Sequence, residues 1–196
     1  MTKNEFMDAK ENALKSLNEA CDQEKVDEGA LPLLSIINKI DGLYTSSSCA
    51  GRIVLLEIPH IGDKKGARFL GVWHRTIQQE ELSAASKKAT KGLLWLLAQA
   101  PIIHIGAENL PLADRMVKTA VACGFKNSAI RSLGKTVIIE LCSTERLDAP
   151  IGRDGGLFCS EKHLTLLVEI SNEVIERSSE KMSRLAEKLA KFADFP

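Results

Sequence analysis

At 196 residues the chain is long enough for a substantial hydrophobic core and short enough for one domain, residues 1–196, flanked by helical extensions. Lys and Arg number 26 and Asp and Glu 26. No global positive field exists, which argues against nonspecific coating of DNA and requires any nucleic-acid partner to meet a local basic patch. Five cysteines, an odd number with no CxxC pair, exclude a disulfide framework and a zinc ribbon or finger, and point to reduced cytoplasmic thiols. The opening stretch MTKNEFMDAKENALKSLNEA lacks the apolar run of a signal peptide, and no segment has the length to cross a bilayer, so no membrane partner is expected.

In chain order, residues 3–22 predict a helix with Phe6, Ala13, Leu14, Leu17 and Cys21 on one stripe. CDQEKVDEG is a polar connection. Residues 31–40 carry Leu33, Leu34, Ile37 and Ile40 at helical spacing, ended by Asp41-Gly42. The next segment, TSSSCAGR at 45–52, predicts a polar loop at the mouth of a sheet, because a buried strand cannot satisfy so many hydroxyls. Residues 53–58 and 67–73 predict a hairpin about PHIGDKKG. Residues 79–89 predict a short helix stopped by Gly92. LLWLLAQ fits helix or strand; Pro101 close behind it favours strand, followed by a second strand in IIHIG. Asn109 and Pro111 open a helix that Gly124 closes, buried on Ala113, Met116, Val117, Ala120 and Val121. Residues 128–130 and 135–142 pair as strands, IGRDGG is a glycine-rich loop, and Ser160 caps a long helix from 161 to about 192. Strands interleaved with helices predict an α/β or α+β class with a mixed sheet, and no GxGxxG follows a strand, so this is not a Rossmann fold.

TSSSCAGR concentrates chemistry. The hydroxyls of Thr45, Ser47 and Ser48, with backbone N–H groups near Gly51, can converge on a ligand, and Arg52 offers a planar fork for carboxylate or phosphate. A Ser-rich turn with a half-buried Cys is the plain alternative. Cys49 has three readings: a nucleophile, a metal ligand, or a small soft packing residue. As a ligand it would need His74, His104 or Cys142, whose spacings form no recognised site, so no metal is expected. His74 ends an apolar strand in GVWHR, where site residues and surface histidines both occur. His104 lies mid-strand and reads first as a satisfied structural residue and second as a site residue. Asp27 reads as a solvated acid or a cap, with Asp148 as the alternative acid; Asn127 and Ser128 read as turn chemistry. Lys64, Lys65, Arg68, Lys87, Lys88 and Lys91 are candidate phosphate contacts or a solvated face.

TSSSCAGR also fits the (S/T)-x-S-S-C-x-G-R signature of the wybutosine-synthesis methyltransferases that act on tRNA(Phe), and the chain resembles an archaeal member. The resemblance extends in order through KVDEGALPLLSIIN, YTSSSCAGRI, FLGVWHR, PIIHIGAENL, GFKNSAI, STERLDAPIGRDG and the closing helix. It implies methyl transfer from S-adenosylmethionine to N4 of a tricyclic demethylwyosine base that carries a 3-amino-3-carboxypropyl chain at position 37, in the anticodon loop. It places Ser48 and Cys49 at the site, carries over Asp27 beside them, assigns His74 to the active centre as a base or amine-orienting group, and allows Asn127 and Ser128 ligand contact. Arg52 then matches a carboxylate of substrate or cofactor and Asp27 an ammonium, with Tyr44 and Trp73 as stacking candidates. A noncatalytic tRNA-binding module and a thiol-dependent enzyme using Cys49 are the alternatives.

Overall fold

The structure, a computed structural model, describes residues 3–134 and 136–191. It is an α+β architecture with the long closing helix the sequence predicts. In place of one mixed sheet, the strands divide between two sheets in which every pairing is antiparallel. The reason is local. Contacts divide the described residues into two compact units, one drawn from Met1–Ala50, Pro101–Thr144 and Ser178–Pro196, the other from Gly51–Ala100 and Glu145–Arg177. Three of the four changes of unit fall within one or two residues of a strand end, two of them at Gly51 and Pro101, and the fourth falls inside the closing helix.

The first unit holds helices α1 (Lys3–Asp22), α2 (Leu31–Lys39) and α4 (Leu110–Ala122), strands β1 (Leu43–Cys49), β5 (Ile102–Ala107), β6 (Ala129–Leu133) and β7 (Val137–Cys142), and the last turns of α5 (Glu161–Ala190). Its sheet order is β1-β5-β7-β6. Helix α4 forms where the sequence supplies both ends: Asn109 Oδ1 accepts from Leu112 N at 2.9 Å, Pro111 sits in the first turn, and Gly124 follows the last. Its face of Ala113, Met116 and Ala120 packs with Leu33, Leu34 and Ile37 of α2, and Met182, Leu185 and Leu189 of α5, on Leu43, Ile103, Ile105, Ile139 and Leu141. Tyr44 is buried against the Phe6 ring, centroids 5.4 Å apart, so it offers no stacking surface.

The second unit holds β2 (Arg52–Ile58), β3 (Arg68–Trp73), α3 (Gln79–Ser86), β4 (Leu93–Gln99), β8 (Arg146–Arg153), β9 (Gly156–Leu157) and the first part of α5, in the sheet order β3-β2-β4-β8-β9. LLWLLAQ is a strand, as Pro101 requires, with Leu94, Leu96 and Ala98 turned to the core. Leu82 and Ala85 of α3 and Leu164, Leu167 and Val168 of α5 cover Ile53, Leu55, Leu96 and Ile151. Asn172 ties α5 to the segment before α3, accepting from Ile77 N at 2.8 Å and donating to Ile77 O at 2.9 Å.

The glycine-rich loop expected at IGRDGG is instead a tight hairpin between β8 and β9, turned by Asp154 and Gly155 at φ 50° and 80°. β8 escapes sequence reading because Pro150 lies within it. β9 reaches only Gly152 and Arg153, so β8 is an edge at Pro150, and its ladder with β4 is irregular beside it. Lys135, where the sequence places a strand start, and Phe192, where it places a helix end, lie outside the described residues. Among the described residues no helix is long and apolar enough to cross a membrane.

Gly92 shows what the second unit cannot accept. It sits at φ 100°, and a Cβ there would stand 2.3 Å from the Ile58 carbonyl oxygen, a backbone atom. Gly92→Ala combines left-handed strain with a clash that no side chain can relieve. A loss of at least about 1 kcal/mol, or roughly 2–4 °C in Tm, is expected by calorimetry.

Candidate functional site

The hydroxyl-rich segment is not the loop expected from its composition. Residues 45–49 belong to β1 and Arg52 opens β2, leaving only Ala50 and Gly51 between. The hydroxyls are tolerated because the buried Thr45 is paired with Asn38, while Ser46 and Ser47 face solvent and Ser47 also meets His104. Leu43, Tyr44 and Thr45 are buried, Ser46 and Ser47 exposed, Ser48 and Cys49 half-buried. The register with β5 shifts between Thr45 and Ser47, which bulges Ser46 out of the ladder. Asn38 of α2 anchors the buried end, its Oδ1 accepting from Thr45 N at 2.7 Å and its Nδ2 donating to Thr45 Oγ1 at 2.9 Å.

Beyond the bulge a polar row crosses all four strands. Ser47 Oγ lies 2.9 Å from His104 Nδ1 on β5, and His104 Nε2 lies 3.0 Å from Glu140 Oε2 on β7. Arg131 on β6 donates to Glu140 Oε1 through Nε at 3.0 Å. An ionised Glu140 only accepts, so neutral His104 carries its proton on Nε2 and its bare Nδ1 accepts the Ser47 hydroxyl. This assigns the tautomer from the network, and it leaves the lone pairs of Ser47 Oγ for a donor outside the protein.

Arg131 holds the Glu140 carboxyl below its ordinary value; partial burial opposes this and His104 reinforces it. A carboxylate depressed in the folded state contributes stability above its unfolded pKa, about 4.3, and loses it as pH falls through the lower folded value. Glu140→Gln removes that contribution. The Tm of the variant is therefore expected to fall less steeply than that of the parent below about pH 4.3, in melts recorded across acid pH.

Asp27 precedes the 3-10 turn Glu28–Ala30 and does not cap it through its side chain. Its Oδ2 instead accepts from Ala50 N at 2.7 Å, clamping the backbone directly after Cys49. A cavity of about 230 Å³ opens beside β1, lined by Lys25, Val26, Leu34, α1 residues including Ser16 and Leu17, and the motif residues Thr45 and Ser46 to Ser48. Asn127 and Ser128 make the bonds of a turn. Asn127 N donates to Cys142 O at 3.0 Å, and Ser128 Oγ donates to Phe125 O at 2.7 Å while accepting from Cys142 N at 3.2 Å.

In the second unit, Gly51 takes φ 95° and β2 begins at Arg52. Arg52 Nε donates to Gln99 Oε1 at 2.8 Å, and its guanidinium carbon lies 6.0 Å from the Phe69 ring centroid. One edge of the fork is thus fixed, and Arg52 has no ion pair among the described residues. His74 is exposed, directly past the end of β3. Glu140, Arg131 and Lys25 are the site-side residues that sequence reasoning does not single out, and His104, read first as structural, joins them.

The family profile described as Methyltransferase TYW3 matches residues 8–191. The chain belongs to the TYW3 methyltransferase family. A family member from Pyrococcus horikoshii, named tRNA(Phe) 7-((3-amino-3-carboxypropyl)-4-demethylwyosine(37)-N(4))-methyltransferase 1, is 46% identical over 173 residues, 88% of each chain. The Thermococcus kodakarensis protein of the same name is 40% identical over 88% of this chain and 87% of its own. A solved Pyrococcus horikoshii structure superposes with TM-score 0.91 at 45% identity, covering 94% of this chain and 95% of that one. An Aeropyrum pernix structure at 24% identity and TM-score 0.76, covering 86% of this chain and 100% of that one, shares the fold. The TYW3 fold therefore carries methyl transfer without a Rossmann sheet.

Proposed function

We propose that this chain methylates N4 of 7-(3-amino-3-carboxypropyl)-4-demethylwyosine at position 37 of tRNA(Phe), in the cytoplasm, with S-adenosylmethionine as donor. The observation that carries the reading is the near end-to-end likeness to relatives bearing that activity in their names. Bound S-adenosylmethionine supplies an electrophilic methyl group on a sulfonium.

The substrate side chain and the cofactor's methionine part both end in a carboxylate and an ammonium. The residues around the β1 cavity fit such an end: Lys25 matches the carboxylate, and the hydroxyl oxygens of Ser47 and Ser48 match the ammonium. Thr45, Ser48 and the backbone at Gly51 orient what binds there. In the second unit the open edge of Arg52 takes a carboxylate or phosphate. His74 orients the base at N4 or accepts the proton that the base loses. Asp27 holds the strand end that carries Cys49 and adds negative charge for an ammonium. Direct transfer needs no covalent bond to Cys49, which serves by packing. Asn127 and Ser128 act on the site through the turn they brace.

The test uses methyl-tritiated S-adenosylmethionine and tRNA(Phe) bearing the unmethylated tricyclic base. Label is expected in that base and absent from a transcript with guanosine at position 37. Folded protein that transfers nothing to the modified tRNA overturns the reading.

A further inference from the structure

The neutral total charge hides an uneven distribution. Lys64 and Lys65 occupy the tip of the β2–β3 hairpin, Arg68 opens β3, and Lys87, Lys88 and Lys91 follow α3; all six are exposed. The fold gathers them at one end of the second unit. Arg68 Nη1 donates to Thr90 Oγ1 at 2.8 Å, and Lys88 Nζ reaches Leu70 O at 3.4 Å, which joins the α3–β4 loop to β3. Against the six cations stand three carboxylates, Glu57, Asp63 and Asp154, the last accepting from Gly92 N at 2.8 Å. Glu57, 3% exposed, accepts from Arg68 and from the backbone of Thr90 and Lys91, and Asp63 accepts from Gly66 N at 2.9 Å. The charge left facing solvent is positive.

An exposed aromatic residue follows Arg68 on the same strand. Phe69 is 60% exposed on β3, the outer strand of its sheet, with the Arg52 guanidinium near its ring. A bare aromatic with a guanidinium near its ring, on a strand that begins at a basic cluster, can stack an unpaired base while the lysines take the neighbouring phosphates. Cations at the end of an outer strand also discourage edge-to-edge pairing, which is the competing account of the same residues.

We propose that the β3 edge and the α3–β4 loop dock RNA: Lys64, Lys65, Lys87 and Lys91 contact phosphates, and Phe69 stacks on an unpaired base. That the RNA is tRNA(Phe) rests on the function proposed above; the surface itself does not. Lys64, Lys65, Lys87 and Lys91 make no side-chain hydrogen bond among the described residues, so their replacement spares the fold.

The experiment titrates the full chain with a fluorescent, unmodified tRNA(Phe) anticodon stem-loop at several salt concentrations. Changing those four lysines to Gln is expected to weaken binding at least about tenfold near 0.1 M salt, and to lower the slope of log affinity against log salt by roughly 3. Phe69→Ala is expected to weaken binding about 5- to 100-fold with the salt slope unchanged. The Lys64→Gln/Lys65→Gln pair gives a smaller change in the same direction should the fourfold variant prove unstable. Unchanged affinity and slope in folded variants, with or without new aggregation, overturn the proposal and leave edge protection as the lysines' role. If the parent binds RNA with the expected slope yet methylates nothing, the docking surface stands and the methylation reading falls. If methylation proceeds with an unchanged KM for tRNA in the fourfold variant, the reverse holds.

Discussion

His74→Ala is expected to lower the rate of methyl transfer at saturating tRNA by about 10²- to 10⁴-fold, the contribution that a positioned acid–base group makes. N4 is a ring nitrogen, and a neutral tricyclic base that gains a methyl cation there must shed a proton; imidazole is the side chain whose protonation changes most readily near neutral pH. The sequence places His74 where strand geometry can aim it, one residue past β3. The preceding residue fixes that strand end: the Trp73 ring lies across Gly71, so closely that a Cβ on Gly71 would stand 2.1 Å from Cη2. Single-turnover measurements with the modified tRNA read the chemical step. Partial rescue by added imidazole would mark the loss as a missing proton acceptor and not a displaced strand. An unchanged rate would remove His74 from the chemistry.

What the sequence discloses here is mostly what local chemistry decides. Asn109, Pro111 and Gly124 announce both ends of α4 because caps act on neighbouring backbone groups. Pro101 decides β4 in the same way. The strand character of the hydroxyl-rich segment was hidden because its hydroxyls are satisfied by solvent and by Asn38 and the distant His104, which only the assembled unit brings to β1. The polar row was hidden for a related reason. Ser47, His104 and Glu140 are brought into line by the registers Ser47–His104 and His104–Glu140, and nothing in the three separate segments marks those pairings. Resemblance supplied Asp27 and His74, but not the means by which Asp27 acts, a bond to the backbone of Ala50.

That bond makes Asp27 the most informative acid to replace. It accepts from Ala50 N at 2.7 Å, and a carboxylate acceptor is among the stronger partners a backbone N–H can have. Asp27→Ala leaves the Ala50 N–H without that acceptor and frees the chain between Cys49 and Gly51, at a cost of about 1–3 kcal/mol. A displacement of an ångström at the strand end is enough to lower kcat/KM by roughly 10²-fold. Asp27→Asn separates the two contributions. The amide oxygen can still accept from Ala50, so the melting temperature is expected to stay near that of the parent. The negative charge is gone, and a charge-assisted contact to an ammonium is worth about 1.5–3 kcal/mol, or roughly 10- to 100-fold in kcat/KM. If Asn restored both stability and turnover, Asp27 would act only as a tether. If Ala left both untouched, the clamp on β1 would have no part in the reaction. The expected pattern is a stable, slow Asn variant and an unstable, slower Ala variant, read from melting curves and tRNA methylation kinetics on the same preparations.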